Sequence, residues 1–407
     1  MNRHHPGKGA SLRRACFAGL AIAAAATGAH AQTFSVLYAF PQDGGLGSDI
    51  SQMTMVEGTD GNFYGTTFAG GDYANYGGGA GTVFKVSPQG QLTQLWAFSC
   101  AQGGVCADGR SPEGGVIQAT DGSFYGTTYA GGTYNDGTIY RITPSGKLTT
   151  LYNFCWYPNT CASYSGGGTY GRLIQASNGD LYDTTTSGTA FKISLKGKFK
   201  LLYTWPAGGG SEGALMQVGK GALFGTTVAG GAGNEGTVFK MSLSGKVTTL
   251  YSFCSQAQCA DGAQPVAGLV EGANGDLYGT TVNGGAKFGT VFKITPKGKF
   301  KSLVAFQAGT TPANPYAALT LANDGTLFGT TAYGGNPGNG FVYQIAKDRL
   351  ANAWPLTGTT GCVGGTPYGG LLLASDGNFY GSDDNGNCVD SGTLFAFGPG
   401  PRRGITN

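Results

Sequence analysis

The chain has 407 residues, of which 76 are glycine and 12% are charged. Its 25 Lys and Arg residues against 22 Asp and Glu residues give a formal net charge of +3. This balance lacks the clustered positive charge that nucleic acids and anionic membranes attract, so we expect no nucleic-acid partner. The length exceeds the usual prior of roughly 100–200 residues per domain, but closed all-β rings often reach it as a single domain.

The N-terminus has the order of a secretory signal. Four basic residues precede an apolar run at 17–27, and the run is followed by Ala29-His30-Ala31. We expect a signal peptide at 1–31, cleaved after Ala31, because the run is too short to span a bilayer as a mature helix. The Arg13-Arg14 pair leaves a twin-arginine export route open beside the general one.

Removal of residues 1–31 takes away four basic residues and no acidic ones, which leaves 21 basic against 22 acidic residues. It also removes His4, His5 and His30, the three histidines of the chain. The mature protein then has no means of forming a Ser-His-Asp triad, a His-ligated metal site or a histidine general base. We expect no cofactor and no metal.

One motif recurs along the rest of the chain, first as Asp-Gly-Asn-Phe-Tyr-Gly-Thr-Thr at 60–67. The six further copies lie at 121–128, 178–185, 220–227, 274–281, 324–331 and 376–383. Most copies are followed by a second piece of the form Gly-Thr-Val-Phe-Lys. A period of about 40–60 residues built from short strand-like pieces is typical of a propeller, whose units must stack to bury their apolar faces.

The second repeat predicts four strands, at 116–119, 124–128, 137–142 and 147–154, separated by Asp-Gly and Pro-x-Gly turns. Four antiparallel strands make one propeller blade. The seventh repeat stops after its third strand, whereas residues 34–40 match the pattern of a fourth. We therefore predict an all-β, seven-bladed β-propeller whose N-terminal strand completes the last blade.

This prediction gives one propeller domain over 32–398, followed by a C-terminal tail at 399–407. The recurring motifs resemble the GloVer tandem-repeat family over residues 34–397. The resemblance implies exported or surface proteins with no defined catalytic residues. The chain departs from the pattern at Asp183, which replaces Gly, and at Ser382-Asp383, which replace Thr-Thr. Repeat six lacks the Pro or Gly turn before a weak fourth strand near 350–354, and we expect no C-terminal anchor.

Eight cysteines lie outside the signal, and six of them form close pairs just after a predicted strand in three repeats. The expected disulfides join Cys100 to Cys106, Cys155 to Cys161, Cys254 to Cys259 and, as the remaining pair, Cys362 to Cys388. Disulfides suit an oxidising compartment, so we expect a periplasmic or extracellular protein. A thiolate metal site built from several repeats is the alternative.

The sequence Asp-Asp-Asn-Gly-Asn at 383–387 is rich in oxygen ligands, as calcium loops are. It lacks the EF-hand spacing and a distant Glu. An Asx-type turn is therefore the preferred interpretation.

The location of the candidate site is predicted from the antiparallel, up-and-down order of the four strands in each blade. Loops between the second and third strands, and between blades, share one face; they are long and dissimilar, as binding loops on a rigid scaffold often are. The residue three before the first apolar position of each innermost strand should surround the channel opening on that face. These residues are Gln52, Glu113, Tyr170, Glu212, Val266, Tyr316 and Tyr368.

Tyrosine rings stack on sugars, and carboxylates and guanidinium groups form bidentate hydrogen bonds with them. We expect an exported, monomeric, non-catalytic recognition module that binds a glycan or a cell-surface protein. Its candidate ligand-binding residues are Arg110, Tyr170, Arg172, Tyr316 and Tyr368.

The alternative is a glycoside hydrolase or lyase without histidine, with Glu113 and Glu212 as candidate catalytic residues. In a lyase, Tyr and Arg would instead neutralise a uronate and abstract its proton. A third interpretation is that these side chains only cap the channel.

Overall fold

The structure is a computed structural model of the chain. It describes residues 32–41, 45–50, 53–72, 78–101, 104–156, 165–206, 209–307, 311–334, 339–356, 365–384 and 392–398. The predicted signal peptide and the tail at 399–407 lie outside these ranges. Within them, no helix is both long and apolar enough to cross a membrane.

Seven antiparallel sheets of four strands form the seven blades of a propeller, which confirms the predicted fold. Blades I to III contain β2 (Val56–Glu57), β3 (Phe63–Thr67), β4 (Thr82–Val86), β5 (Leu92–Ala97), β6 (Val116–Gln118), β7 (Phe124–Thr128), β8 (Thr138–Ile142), β9 (Leu148–Asn153), β10 (Ile174–Gln175), β11 (Leu181–Thr184), β12 (Thr189–Ile193) and β13 (Phe199–Thr204). Blades IV to VI contain β14 (Met216–Gln217), β15 (Leu223–Thr227), β16 (Thr237–Met241), β17 (Val247–Ser252), β18 (Val270–Glu271), β19 (Leu277–Thr281), β20 (Thr290–Ile294), β21 (Phe300–Ala305), β22 (Thr320–Leu321), β23 (Leu327–Thr331), β24 (Phe341–Ala346) and β25 (Arg349–Pro355). Blade VII contains β26 (Leu372–Leu373), β27 (Phe379–Asp383), β28 (Thr393–Gly398) and β1 (Thr33–Ala39).

Blade VII is built from the two ends of the described chain. Its outermost strand, β1, pairs antiparallel with β28, so that Phe34 lies opposite Phe397 and Tyr38 opposite Leu394. The predicted closure by residues 34–40 is confirmed. Without β1, the outer edge of β28 would be left unpaired.

Packing between blades explains why the second and third strands are almost entirely buried. All five residues of β3 are buried. Tyr64 of blade I stacks on Phe124 of blade II with ring centroids 3.9 Å apart, and Phe63 packs against Tyr380 of blade VII at 4.3 Å. Such ring pairs contribute roughly 0.5–1.5 kcal/mol beyond their area burial, so the recurring aromatic residues hold neighbouring blades together.

The Thr-Thr pair that ends most second strands links strands and blades. The hydroxyl groups of Thr67 and Thr82 lie 2.9 Å apart, and the same contact recurs in blades II to V. The other threonine of the pair reaches the next blade: the Thr226 hydroxyl donates to the Ala267 carbonyl at 2.9 Å. Because Ala267 lines the central channel, the motif fixes the channel wall of the following blade.

Blade VI departs from the repeat at its last hairpin. The sequence predicts a weak strand there, whereas β25 is seven residues long. Lys347 and Asp348 have φ angles of 52° and 61°, which fit a two-residue turn with left-handed residues. Lys293 of blade V forms a salt bridge with Asp348, so a contact with the neighbouring blade stabilises a turn that lacks Pro and Gly.

Two of the predicted disulfides are confirmed, Cys100–Cys106 and Cys254–Cys259. Both lie in loops that connect one blade to the next. Cys161, the expected partner of Cys155, lies outside the described residues. The same is true of Cys362 and Cys388.

Candidate ligand site at the channel mouth

The residues at the channel opening are positioned by packing between consecutive blades. A glycine at positive φ precedes each third strand. In blades I, IV, V and VI a proline of the next connecting loop packs on it, and in blade VII Ile50 does. In blade IV this glycine is Gly236, with φ 96°. A Cβ at this position would lie 2.6 Å from Cδ of Pro265, which directly precedes Val266. Close packing of Pro265 on a residue without a side chain therefore fixes where the next residue enters the channel.

A cavity of about 180 Å³ lies at this opening. We call the six described predicted residues here the channel mouth: Glu113, Tyr170, Glu212, Val266, Tyr316 and Tyr368. Five of them line the cavity, together with Arg172; Glu113 directly precedes the lining residue Gly114. Arg110, whose backbone pairs with Ala130, does not line it. Gln52 lies outside the described residues.

Two groups of tyrosines flank the mouth. Tyr170 of blade III stacks on Tyr129 of blade II, with ring centroids 5.0 Å apart and planes at 5°. Across the ring, Tyr368 of blade VII lies edge-on to Tyr316 of blade VI at 5.0 Å. The Tyr368 hydroxyl is also 2.9 Å from that of Tyr333. Tyr129 and Tyr333 remain 37% and 43% exposed, so each group presents ring surface to solvent.

Glu212 lies close enough to residues of three other blades for its charge to affect their pKa values. Burial raises the pKa of Glu212. Its charge contributes in turn to the raised pKa values of Glu113, Tyr170 and Tyr316, for each of which burial is the largest cause. Side chains that are distant in sequence therefore converge at the mouth.

Glu113 is the most strongly perturbed acid of the mouth. Only 7% of its surface is exposed. Burial, then the charges of Asp49 and Glu212, raise its pKa to about 8. Asp384 of blade VII belongs to the same acidic set, because burial and a hydrogen bond with Asp49 raise its pKa to about 7. Both pKa values lie well above those of ordinary carboxyl groups, which favours the protonated form.

Arg172 is the cationic group of the cavity, and it forms no salt bridge with a described acid. It lines the cavity two residues after Tyr170, and burial lowers its pKa. None of the salt bridges within the described ranges includes Arg172. A desolvated cation without a counter-charge is unfavourable unless a ligand or solvent compensates it.

Sequence reasoning missed four residues of this region: Asp49, Tyr129, Tyr333 and Asp384. The two tyrosines come one and two residues after a second strand, which was a usable signal. Asp384 belongs to the oxygen-rich segment at 383–387, but nothing in the sequence indicates its contact with Asp49, since the two become neighbours only through ring closure. Asp383, from the oxygen-rich segment, accepts a hydrogen bond from Thr393 at 2.7 Å, and residues 385–387 lie outside the description. Within the described residues, no group of three metal-ligating side chains is found.

The fold and this site define a class of protein, a seven-bladed β-propeller closed by its N-terminal strand with a polar, tyrosine-flanked cavity at one channel opening. The chain belongs to the Gloeobacter/Verrucomicrobia repeat family, whose sequence profile matches residues 27–218 and 211–404. This finding confirms the family that the repeats resembled. A comparison with curated proteins gives no match.

Several solved structures share the fold at low sequence identity. A streptogramin B lyase is 17% identical, with a TM-score of 0.59 over 90% of this chain and 97% of the lyase. A catalytically inactive His-to-Ala variant of virginiamycin B lyase from Staphylococcus aureus, solved with quinupristin, is 16% identical with the same TM-score and covers 90% of this chain and 99% of its own. The extracellular domain of a hybrid two-component system from B. thetaiotaomicron is 11% identical, with a TM-score of 0.57 over 87% of this chain and 41% of that protein.

Proposed function

We propose that the protein is an exported recognition module that binds an oligosaccharide at the channel mouth without turning it over. The observation that carries the proposal is the pair of tyrosine groups, from blades II and III and from blades VI and VII, on either side of one polar cavity. Aromatic faces beside charged hydrogen-bonding groups suit sugars, whose rings have apolar faces and polar edges. The disulfides support export, since they persist in oxidising compartments.

The proposal is tested by a glycan array, followed by calorimetry on the best ligand with Tyr170→Ala and Tyr368→Ala. We expect each change to weaken binding about tenfold, because a truncated aromatic contact at a binding site typically costs more than 1 kcal/mol. Tyr134→Ala is the matched control, since Tyr134 is 40% exposed on a loop of the same face and does not line the cavity. Equal effects of all three changes would contradict the proposed location.

A second candidate, a carbohydrate-active hydrolase or lyase, is favoured by one observation. Glu113, with its pKa raised to about 8, lies in the field of Glu212, and two carboxyl groups in unlike environments are typical of glycosidase acid and base pairs. Histidine occurs only at 4, 5 and 30, so the chemistry would differ from that of an enzyme inactivated by loss of a histidine. Reducing-end release, or ultraviolet absorbance of an unsaturated product, that disappears in Glu113→Gln and Glu212→Gln would favour this candidate.

A further inference from the structure

Arg172 is an exception within a ring of small residues. The residue two positions after each mouth position lies just before an innermost strand, and all of these residues except Gly115 line the cavity. We call these seven residues the inner ring: Thr54, Gly115, Arg172, Ala214, Gly268, Ala318 and Gly370. Six have small side chains, and only blade III places a long cationic side chain in the channel.

The surroundings of Arg172 offer space, and no described carboxylate lies within salt-bridge distance of it. Thr54, Ala214 and Gly370 line the same cavity. The Thr54 hydroxyl already accepts a hydrogen bond from the Gly370 amide at 3.1 Å. Arg172 forms no salt bridge with any described residue. The five N–H donors of its guanidinium group therefore favour an anionic partner that arrives from outside the protein.

The cavity limits how much of a ligand can reach this position. Its volume, about 180 Å³, is below the roughly 300–1,000 Å³ of typical small-molecule sites. It would accept one end of an oligosaccharide, while the following sugar residues lie against the exposed tyrosines. A planar carboxylate matches the planar fork of an arginine by two parallel hydrogen bonds.

We propose that Arg172 binds the carboxylate of a terminal uronic acid residue, so that the protein recognises acidic oligosaccharides by their charged end. This inference rests on the proposed function, because it assigns the ligand class of the same site. The Arg172 guanidinium group binds the carboxylate, and the tyrosine rings contact the neighbouring sugar residues.

The acids of the mouth are compatible with an anionic ligand. Burial raises the pKa of Glu113 to about 8 and that of the neighbouring Asp384 to about 7, which favours the protonated form of each. A protonated carboxyl group does not repel a carboxylate and has an O–H to donate. Glu212, also at the mouth, has a pKa raised by burial.

The test measures binding of four trisaccharide probes to the full-length protein purified after export. Two end in galacturonate or glucuronate, one is the methyl ester of the galacturonate probe, and one carries a sulfate ester on a neutral sugar. We expect a uronate-terminated probe to bind at least tenfold more tightly than the ester. Arg172→Ala should remove this preference with a tenfold to hundredfold loss, as expected for a hydrogen bond between charged groups. Arg172→Lys, which keeps the charge but not the fork, should recover only part of it.

The variants are chosen so that a folding defect is recognised. Alanine is the natural inner-ring residue at 214 and 318, so Arg172→Ala should keep the thermal unfolding midpoint of the wild type. Arg141→Ala is the matched control, because Arg141 contacts Ser123 and Asp121 at a hairpin turn and does not line the cavity. It should bind all probes as the wild type does.

The outcomes separate this inference from the proposed function. Equal binding of the acid and ester probes, unchanged in Arg172→Ala, would overturn the role of Arg172 and leave sugar recognition intact. Preference for the sulfated probe would assign the anion as a sulfate ester and overturn the uronate. Absence of saccharide binding in the array and with all four probes would overturn both.

Discussion

The two ends of the innermost strands differ in how their polar side chains are paired. At the end near the short turns, Gln118 accepts a hydrogen bond from the Thr59 amide at 2.8 Å, and Gln175 accepts one from Thr120 at 2.9 Å. Similar contacts join Gln217 to Ser177 and Glu57 to Ser375. At the opposite end, Glu113 and Arg172 form no salt bridge within the described ranges.

We propose that this difference separates a structural end from a binding end within the same strands. A side chain that already bonds the preceding blade contributes to ring stability and has little capacity left for a ligand. A partly buried cation without a salt-bridge partner does not stabilise the fold in this way, which supports the proposed binding role of the channel mouth.

The largest expected effect comes from weakening the ring closure, on which both ends depend. Phe40, directly after β1, is fully buried and packs against Phe84 of blade I with ring centroids 5.6 Å apart. Phe40→Ala should lower the free energy of unfolding by about 3–5 kcal/mol, because it leaves a cavity between the first and last blades. Urea unfolding followed by intrinsic fluorescence measures the change.

Val36→Ala is the control in the same region, since Val36 on β1 is 36% exposed. It should lower the free energy of unfolding by less than about 1 kcal/mol. Similar losses in the two variants would mean that the closing strand does not anchor the ring through Phe40.

A smaller effect, specific to the binding end, concerns pH. The pKa of Glu113 is about 8 in the folded protein against an ordinary value of 4.5. Between these values the folded protein holds a proton that the unfolded chain has released, so the stability due to this group is complete below pH 4.5 and is lost as the pH rises towards 8. Relative to Glu113→Gln, the wild type should lose on the order of 2–4 kcal/mol across this window, as measured by urea unfolding at several pH values.

Glu235→Gln provides the comparison for this pH series, because Glu235 lies on a loop of blade IV and does not line the cavity. Its stability should follow that of the wild type at each pH. A constant difference between wild type and Glu113→Gln from pH 5 to 8 would show that Glu113 keeps an ordinary pKa.

The smallest effect belongs to the structural end. Gln175 bonds the Thr120 amide through its side-chain oxygen, and its amide donates to the Thr120 hydroxyl at 3.1 Å. Gln175→Ala should lower the free energy of unfolding by about 1 kcal/mol and leave saccharide affinity unchanged. Gln89→Ala, at an exposed turn of blade I, should change neither quantity. Weaker saccharide binding in Gln175→Ala would remove the distinction between the two ends.

Much of the architecture could be predicted because the sequence of each repeat encodes the same turns and strands. The Asp-Gly turn before Phe124 and the Thr128 side chain after it define a strand and its ends without knowledge of distant contacts. The inner strands were harder to delimit: 116–119 was predicted in blade II, whereas β6 ends at Gln118. The last hairpin of blade VI could not be predicted in this way. Its turn at Lys347 and Asp348 is stabilised by a salt bridge from another blade, which the local sequence does not reveal.

The amino-acid sequence by itself determined the number of blades, the strand that closes the ring and the identity of most channel-mouth residues, because alternating turns and apolar strands act over a few residues. The tertiary structure alone decided that Tyr129 stacks on Tyr170, that burial, with the charges of Asp49 and Glu212, raises the pKa of Glu113, and that Arg172 forms no salt bridge with a described residue. These properties depend on distances between side chains of different blades, and such distances are set only when the ring closes.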